Sequence, residues 1–192
     1  MPPAELDPVT LERARRGDRS AWRSLVERYQ RLVFATAGRV LGVASPEVPD
    51  VAQDALLKVL GSLDRFDPRG PARLSTWIAT VTARTAIDAA RRRRESVSLD
   101  ALDDAPDATL RDPGEAMDDE RSRARLADAL QRLSADQRAA MLLRVEHELS
   151  YEAIAAALGV EVGTVKSRLA RATASLEAAL RSPHRLQEHA HG

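Results

Sequence analysis

The sequence predicts an all-α protein of two small helical domains joined by a flexible acidic linker, the C-terminal one a helix-turn-helix. Three observations lead there. Apolar residues recur at helical spacing on both sides of a polar gap rich in Asp and Pro. Ala, Leu and Arg, all strong helix formers, dominate the composition, while aromatics make up only 3%. No stretch shows the two-residue alternation of a strand.

The elements follow in order. From Asp18 to Leu41, Trp22, Leu25, Val26, Tyr29, Leu32, Val33 and Val40 form one apolar stripe. Gly42 and the segment Ser45 to Asp50 punctuate its end. Asp50 is a candidate N-cap for the next helix, with Ser45-Pro46 as an earlier alternative. That helix carries Val51, Ala55, Leu56, Val59, Leu60 and Leu63 on one side. The segment from Asp64 to Pro71 has the chemistry of a turn, and a helix from about Leu74 to Arg94 turns Trp77, Ile78, Val81 and Ala89 inward.

From Glu95 to about Asp118 no period is sustained. Such a segment buries too little apolar surface to offset its ordering entropy, which predicts a flexible linker. Periodicity returns near Glu120 with Leu126, Leu130 and Leu133. Ser134-Ala135-Asp136-Gln137 is a capping box opening a helix that carries Met141, Leu142 and Val145. Two shorter helices are expected at Tyr151–Leu158 and about Val162–Leu180. The expected domains are therefore residues 10–94 and 119–181, with the linker at 95–118 and a disordered tail at 182–192.

The formal net charge is zero, but it is polarised along the chain. Asp64 to Arg94 holds eight arginines against three aspartates, and Asp100 to Glu120 nine acidic residues against Arg111 alone. Of the 29 basic residues only Lys58 and Lys166 are lysines. The guanidinium fork suits phosphates and base edges, although a GC-rich genome alone would also enrich arginine. The absence of cysteine excludes disulfides and thiolate metal sites. No signal-peptide stretch and no apolar run near the roughly 20 residues of a membrane span is present, so a cytoplasmic protein without membrane insertion is expected. No paired-carboxylate, metal or phosphate-loop constellation points to an enzyme, a cofactor or a small-molecule substrate. The tail histidines His184, His189 and His191 lack the ordered partners of a metal site.

The sharpest motif runs from Leu149 to Leu169. Ser150 can cap a helix that turns Ile154 and Leu158 inward, with the small Ala155 where two helices approach. Gly159 sits where a helix end calls for a positive φ. Val162, Val165 and Leu169 form the buried stripe of the second helix, leaving Thr164, Lys166, Ser167, Arg168 and Arg171 on or near its outer faces. A helical hairpin with a solvated basic face would share part of this pattern, but a helix of this kind fits a major groove.

This motif, with Leu133 to Arg138 before it, resembles the fourth conserved region of extracytoplasmic-function (ECF) sigma factors, above all in the string from Gly163 to Ala172. The resemblance implies that the second helix reads the minus-thirty-five promoter element, with Thr164, Lys166, Ser167, Arg168 and Arg171 as candidate contacts. Gly17 to Tyr29 resembles the start of the family's second region, and Asp50 to Leu60 its polymerase-binding helix. Asp50, Gln53, Asp54 and Lys58 are then the candidate contacts to core RNA polymerase, although Leu56 and Leu60 stand where the family often has aromatics. The segment from Arg65 to Trp77 resembles the minus-ten reading element, where a pocket for an unstacked base would assist promoter opening. Arg69, Arg73, Ser75, Trp77 and Arg84 are the candidates there. Trp77 fits the core at least as well as a stacking platform, and Arg91 to Arg94 fits a solvated helix end.

In the family the linker threads toward the RNA path, and many members are held by an anti-sigma protein. The expected function is thus an alternative sigma factor whose partners are core polymerase, promoter DNA and an anti-sigma factor. A self-standing helix-turn-helix regulator is the competing expectation.

Overall fold

In the computed structural model, residues 3–100 and 126–181 are described. Asp7 accepts the Thr10 amide at 2.9 Å and Pro8 takes the first helical position, opening α1 (Pro8–Arg15). This short helix escapes a periodicity reading because it buries only Leu11 and Ala14. Asp18 accepts the Ser20 and Ala21 amides and opens α2 (Arg19–Leu41). Its stripe is the expected one, with Leu25, Tyr29, Val33 and Val40 fully buried.

α3 (Val48–Gly61) begins ahead of Asp50, with Glu47 as an N-cap whose side chain caps no amide and instead pairs with Arg93. Pro49 lies in the first turn, where amides have no intrahelical partner, so the helix runs through it at little cost. Asp50 stands inside that turn instead of before it. A short 3-10 turn at Leu63–Arg65 leads to the loop before α4 (Leu74–Asp100). α4 continues past Arg94 because Glu95 to Asp100 contains no Gly or Pro to stop it. The rest of the expected linker, the first residues of the expected second domain (119–125) and the histidine-bearing tail lie outside the described residues.

The helices α2, α3 and α4 pack on one another with α1 across α2, around Leu25, Tyr29, Val59, Leu63, Phe66 and Ile78. Packing of this module begins at Leu6, which is buried, ahead of the expected start at residue 10.

Residues 126–132 are helical (α5) and precede α6 (Ala135–Val145), α7 (Tyr151–Leu158) and α8 (Val162–Arg181). The capping box is formed, with Ser134 Oγ accepting the Gln137 amide and Gln137 Oε1 accepting the Ser134 amide. Leu143, Ile154, Val165 and Leu169 make the core of this second module. Val145, expected on the stripe of α6, is 66% exposed, because the helix buries Ala139, Ala140, Leu142 and Leu143 instead. Among the described residues there is no strand.

The two modules share a third apolar cluster. Ala37 and Val40 of α2, Ala83 and Ala86 of α4, and Ala135 and Ala139 of α6 meet there. Alanines leave little side chain between the helix axes, so the backbones approach closely.

Gly159 ends α7 at φ 65° and ψ 42°, in the left-handed region. A Cβ there would come no closer than 3.9 Å, to Arg84 Nη2, so substitution is opposed by backbone strain and not by a clash. Gly159→Ala is expected to cost about 1–2 kcal/mol in urea unfolding, and an unchanged midpoint would contradict this backbone state.

Candidate nucleic-acid and polymerase interfaces

The helix-turn-helix is built as its sequence implies. Ser150 Oγ accepts the Ala153 amide at 3.1 Å, Gly159 turns the chain, and Val165 and Leu169 anchor α8 from beneath. Lys166 and Arg171 are exposed, and Thr164 and Ser167 are partly so, with Ser167 Oγ donating to Thr164 O at 2.9 Å. Near the same edge, a hydrogen bond from its own backbone amide holds the Glu152 carboxyl below its usual range, with Ser150 and the nearby Lys166 charge adding to the effect.

Arg168 is placed differently. Its Nη2 lies 2.7 Å from Asp136 Oδ1, and its side chain is only 18% exposed. The same Asp136 oxygen accepts Arg91 Nη2 from α4 at 2.9 Å. Arg168 therefore ties α8 to the first turn of α6, while Lys166 and Arg171 face outward.

In the N-terminal module, Arg69 and Arg73 are exposed on the loop before α4. Asp67 Oδ1 accepts the Arg69 amide at 2.9 Å, which tightens that loop. Ser75 is 2% exposed and donates its hydroxyl to Glu5. Trp77 is half-buried, its ring centroid 5.6 Å from that of Phe66. Arg84 leaves α4 toward the other module and donates to Ala157 O and, at 2.7 Å, to Ala156 O at the end of α7. The five candidates thus divide: Arg69 and Arg73 are open to a strand, whereas Ser75, Trp77 and Arg84 also carry structural contacts.

On α3 the positions Asp50, Gln53, Asp54 and Lys58 are exposed along one face. Lys58 Nζ donates to Thr85 Oγ1 at 3.3 Å. Leu57, 60% exposed, stands in the middle of that face. The signal for it was available, since the stripe of Val51, Ala55, Leu56 and Val59 leaves position 57 on the opposite side.

The profile of Sigma-70 region 2 matches residues 25–96, and that of Sigma-70, region 4 matches residues 123–176. The chain is 37% identical to the ECF RNA polymerase sigma-E factor of Escherichia coli K12, covering 89% of this chain and 92% of that protein. This chain belongs to the ECF sigma factors. It is also 36% identical to the RNA polymerase sigma-H factor of Pseudomonas aeruginosa, over 92% of this chain and 94% of that one. Among solved structures it is similar to the sigma factor RpoE of Bartonella quintana in complex with the anti-sigma factor NepR. That likeness has a TM-score of 0.59 at 28% identity and covers 82% and 95% of the two chains. CnrH in complex with the cytosolic domain of CnrY gives a TM-score of 0.55 at 27% identity, covering 90% and 95%.

In this sigma factor further arginines cross the seam between the modules. Arg138 Nε donates to Val40 O at the end of α2, and Arg39 pairs with Glu146. Burial, aided by the nearby Arg94 and Arg93 charges, lowers the Arg138 pKa from its ordinary value. No helix of the described residues is long and apolar enough to cross a membrane.

Two outcomes follow from these ion pairs. Arg168→Ala is expected to cost about 1.5–3 kcal/mol in denaturant unfolding, the range for a hydrogen bond to a charged group. An exposed groove contact would cost about 0.5 kcal/mol or less, so the unfolding midpoint separates the two roles. The second concerns His147, beside the Arg39–Glu146 pair. Burial lowers its pKa from the ordinary 6.5, Glu146 opposing and Arg39 adding to the shift. The unfolded chain then binds the proton first, so stability falls as pH drops from about 6.5 through the lowered value. His147→Gln should flatten that part of a melting-temperature profile.

Proposed function

We propose that this ECF sigma factor docks on core RNA polymerase through the α3 face and reads a promoter with two separate surfaces. The reading helix α8 takes the minus-thirty-five element, with Lys166 and Arg171 as the open cations and Thr164 and Ser167 beside them. Arg168 contributes mainly by holding the helix. The loop between Phe66 and Arg73 and the start of α4 take the minus-ten element, with Arg69 and Arg73 toward the displaced strand's phosphates. By likeness to the anti-sigma complexes of its relatives, an anti-sigma protein is a candidate partner. The protein acts in the cytoplasm as an initiation factor and not as an enzyme.

The observation that carries this reading is the α3 face. Asp50, Gln53 and Asp54 make no side-chain hydrogen bond or ion pair among the described residues, and Leu57 exposes apolar surface between them. An apolar centre with a charged rim is the anatomy of a protein interface. A self-standing regulator would have no use for it.

Promoter binding also requires the modules to part. The two elements lie roughly 25 base pairs apart by position, or about 85 Å at the duplex rise. A compact chain of 192 residues has a radius of gyration of about 16 Å. The contacts of Arg84 and Arg91 across the seam must therefore be given up when both surfaces engage.

Run-off transcription with core polymerase, with and without this chain, is the test. Promoter-dependent initiation is expected only with both. Asp54→Arg should weaken core binding about tenfold or more, as close interfacial charge pairs do. Duplex binding without any core-dependent initiation would favour the self-standing regulator.

A further inference from the structure

The start of α4 lacks a local cap. Arg73 O accepts the Trp77 amide at 3.0 Å, which makes Arg73 the N-cap residue, yet a guanidinium has no acceptor for the free first-turn amides. The acceptor comes from the other end of the module. Glu5 Oε2 takes the Leu74 amide at 3.1 Å, and Oε1 takes the Ser75 amide at 3.3 Å and the Ser75 hydroxyl at 2.6 Å. A carboxylate at that position also complements the positive end of the helix dipole.

The segment carrying Glu5 is itself held. Arg28 Nη1 donates to the Ala4 and Glu5 carbonyls, each at 3.2 Å. The Leu6 amide donates to the Tyr29 hydroxyl at 3.0 Å, and that hydroxyl lies 3.4 Å from Glu5 Oε2. Tyr29 is fully buried on α2, and burial pushes its pKa up to about 12, so it stays a neutral donor. The chain Tyr29–Glu5–Ser75 thus connects the middle of α2 to the first turn of α4.

The same segment forms one wall of a cleft of about 500 Å³, whose other wall is the loop before α4. Glu5 and Leu11 line it on one side, and Phe66, Pro68, Gly70 and Arg73 on the other. That loop cannot move at its α4 end while Leu74 and Ser75 are bonded to Glu5. The segment lies before residue 25, outside the matched Sigma-70 region 2.

We infer that Glu5 is a positioning residue for minus-ten strand recognition, capping α4 from the N-terminal segment and setting the position of the loop that reads the strand. The inference rests on the assignment of that loop to the minus-ten element. Glu5 touches no base in this role; it acts through Leu74, Ser75 and the loop they anchor.

The test uses holoenzyme assembled from bacterial core polymerase and the full chain. It selects from a pool of short single-stranded DNA with randomised bases, and the bound fraction is sequenced. Wild type should enrich a base motif. Glu5→Ala should lose roughly fivefold in discrimination against single-base variants, the effect of one lost cap, with core affinity unchanged. Amide exchange at Leu74 and Ser75 in the free chain should accelerate in the same variant. Glu5→Gln keeps one acceptor oxygen and should recover part of both effects. Normal exchange in Glu5→Ala would remove the cap, and faster exchange with an intact motif would remove the positioning role. If wild type enriches a motif that Arg69→Ala and Arg73→Ala leave untouched, the loop assignment itself fails, a result separate from the Glu5 outcome.

Discussion

Asp136 is the point on which the arrangement of the two modules turns. It stands in the first turn of α6, where the helix N-terminus favours a negative charge, and its Oδ1 receives Arg168 from within its own module and Arg91 from α4 of the other. The Arg168 pair is largely enclosed, and so it is worth more than the half-exposed Arg91 pair, which the solvent screens. One carboxylate therefore both braces α8 and tethers it to the N-terminal module. The alanine seam beneath it adds apolar burial without bulk.

Arginine is the residue whose use the structure divides most clearly. Where a helix ends, its last carbonyls lack intrahelical partners, and a guanidinium can satisfy two of them at once. Arg84 does this for α7, Arg138 bonds one carbonyl of α2 at Val40, and Arg144 reaches Leu149 O while stacking 5.5 Å from the Tyr151 ring. Arg69, Arg73 and Arg171 are left exposed. The sequence supplies the same charge at each site, and the neighbouring backbone determines which are spent on structure.

Much of the fold was legible beforehand. The stripe of α2, the capping box at Ser134, the Ser150 cap and the Gly159 turn are local features, each determined by residues within one or two helical turns. The departures have equally physical causes. α3 starts early because Pro49 is harmless in a first turn, and α4 runs on because nothing in Glu95 to Asp100 stops it. Val145 faces out because the neighbouring helices cover Leu142 and Leu143 instead.

The sequence by itself determined the helix content and the helix-turn-helix and offered a set of candidate contact residues, since periodicity and caps act over short spans. Only the tertiary structure decided which of those residues are free. Arg168 is taken by Asp136, Arg84 by the end of α7, and Ser75 by Glu5, across separations of 32, 73 and 70 residues. Such pairings depend on how helices pack, and no local pattern encodes them. The two helical modules expected from the sequence meet along a shared alanine-lined seam, and only their packing reveals it.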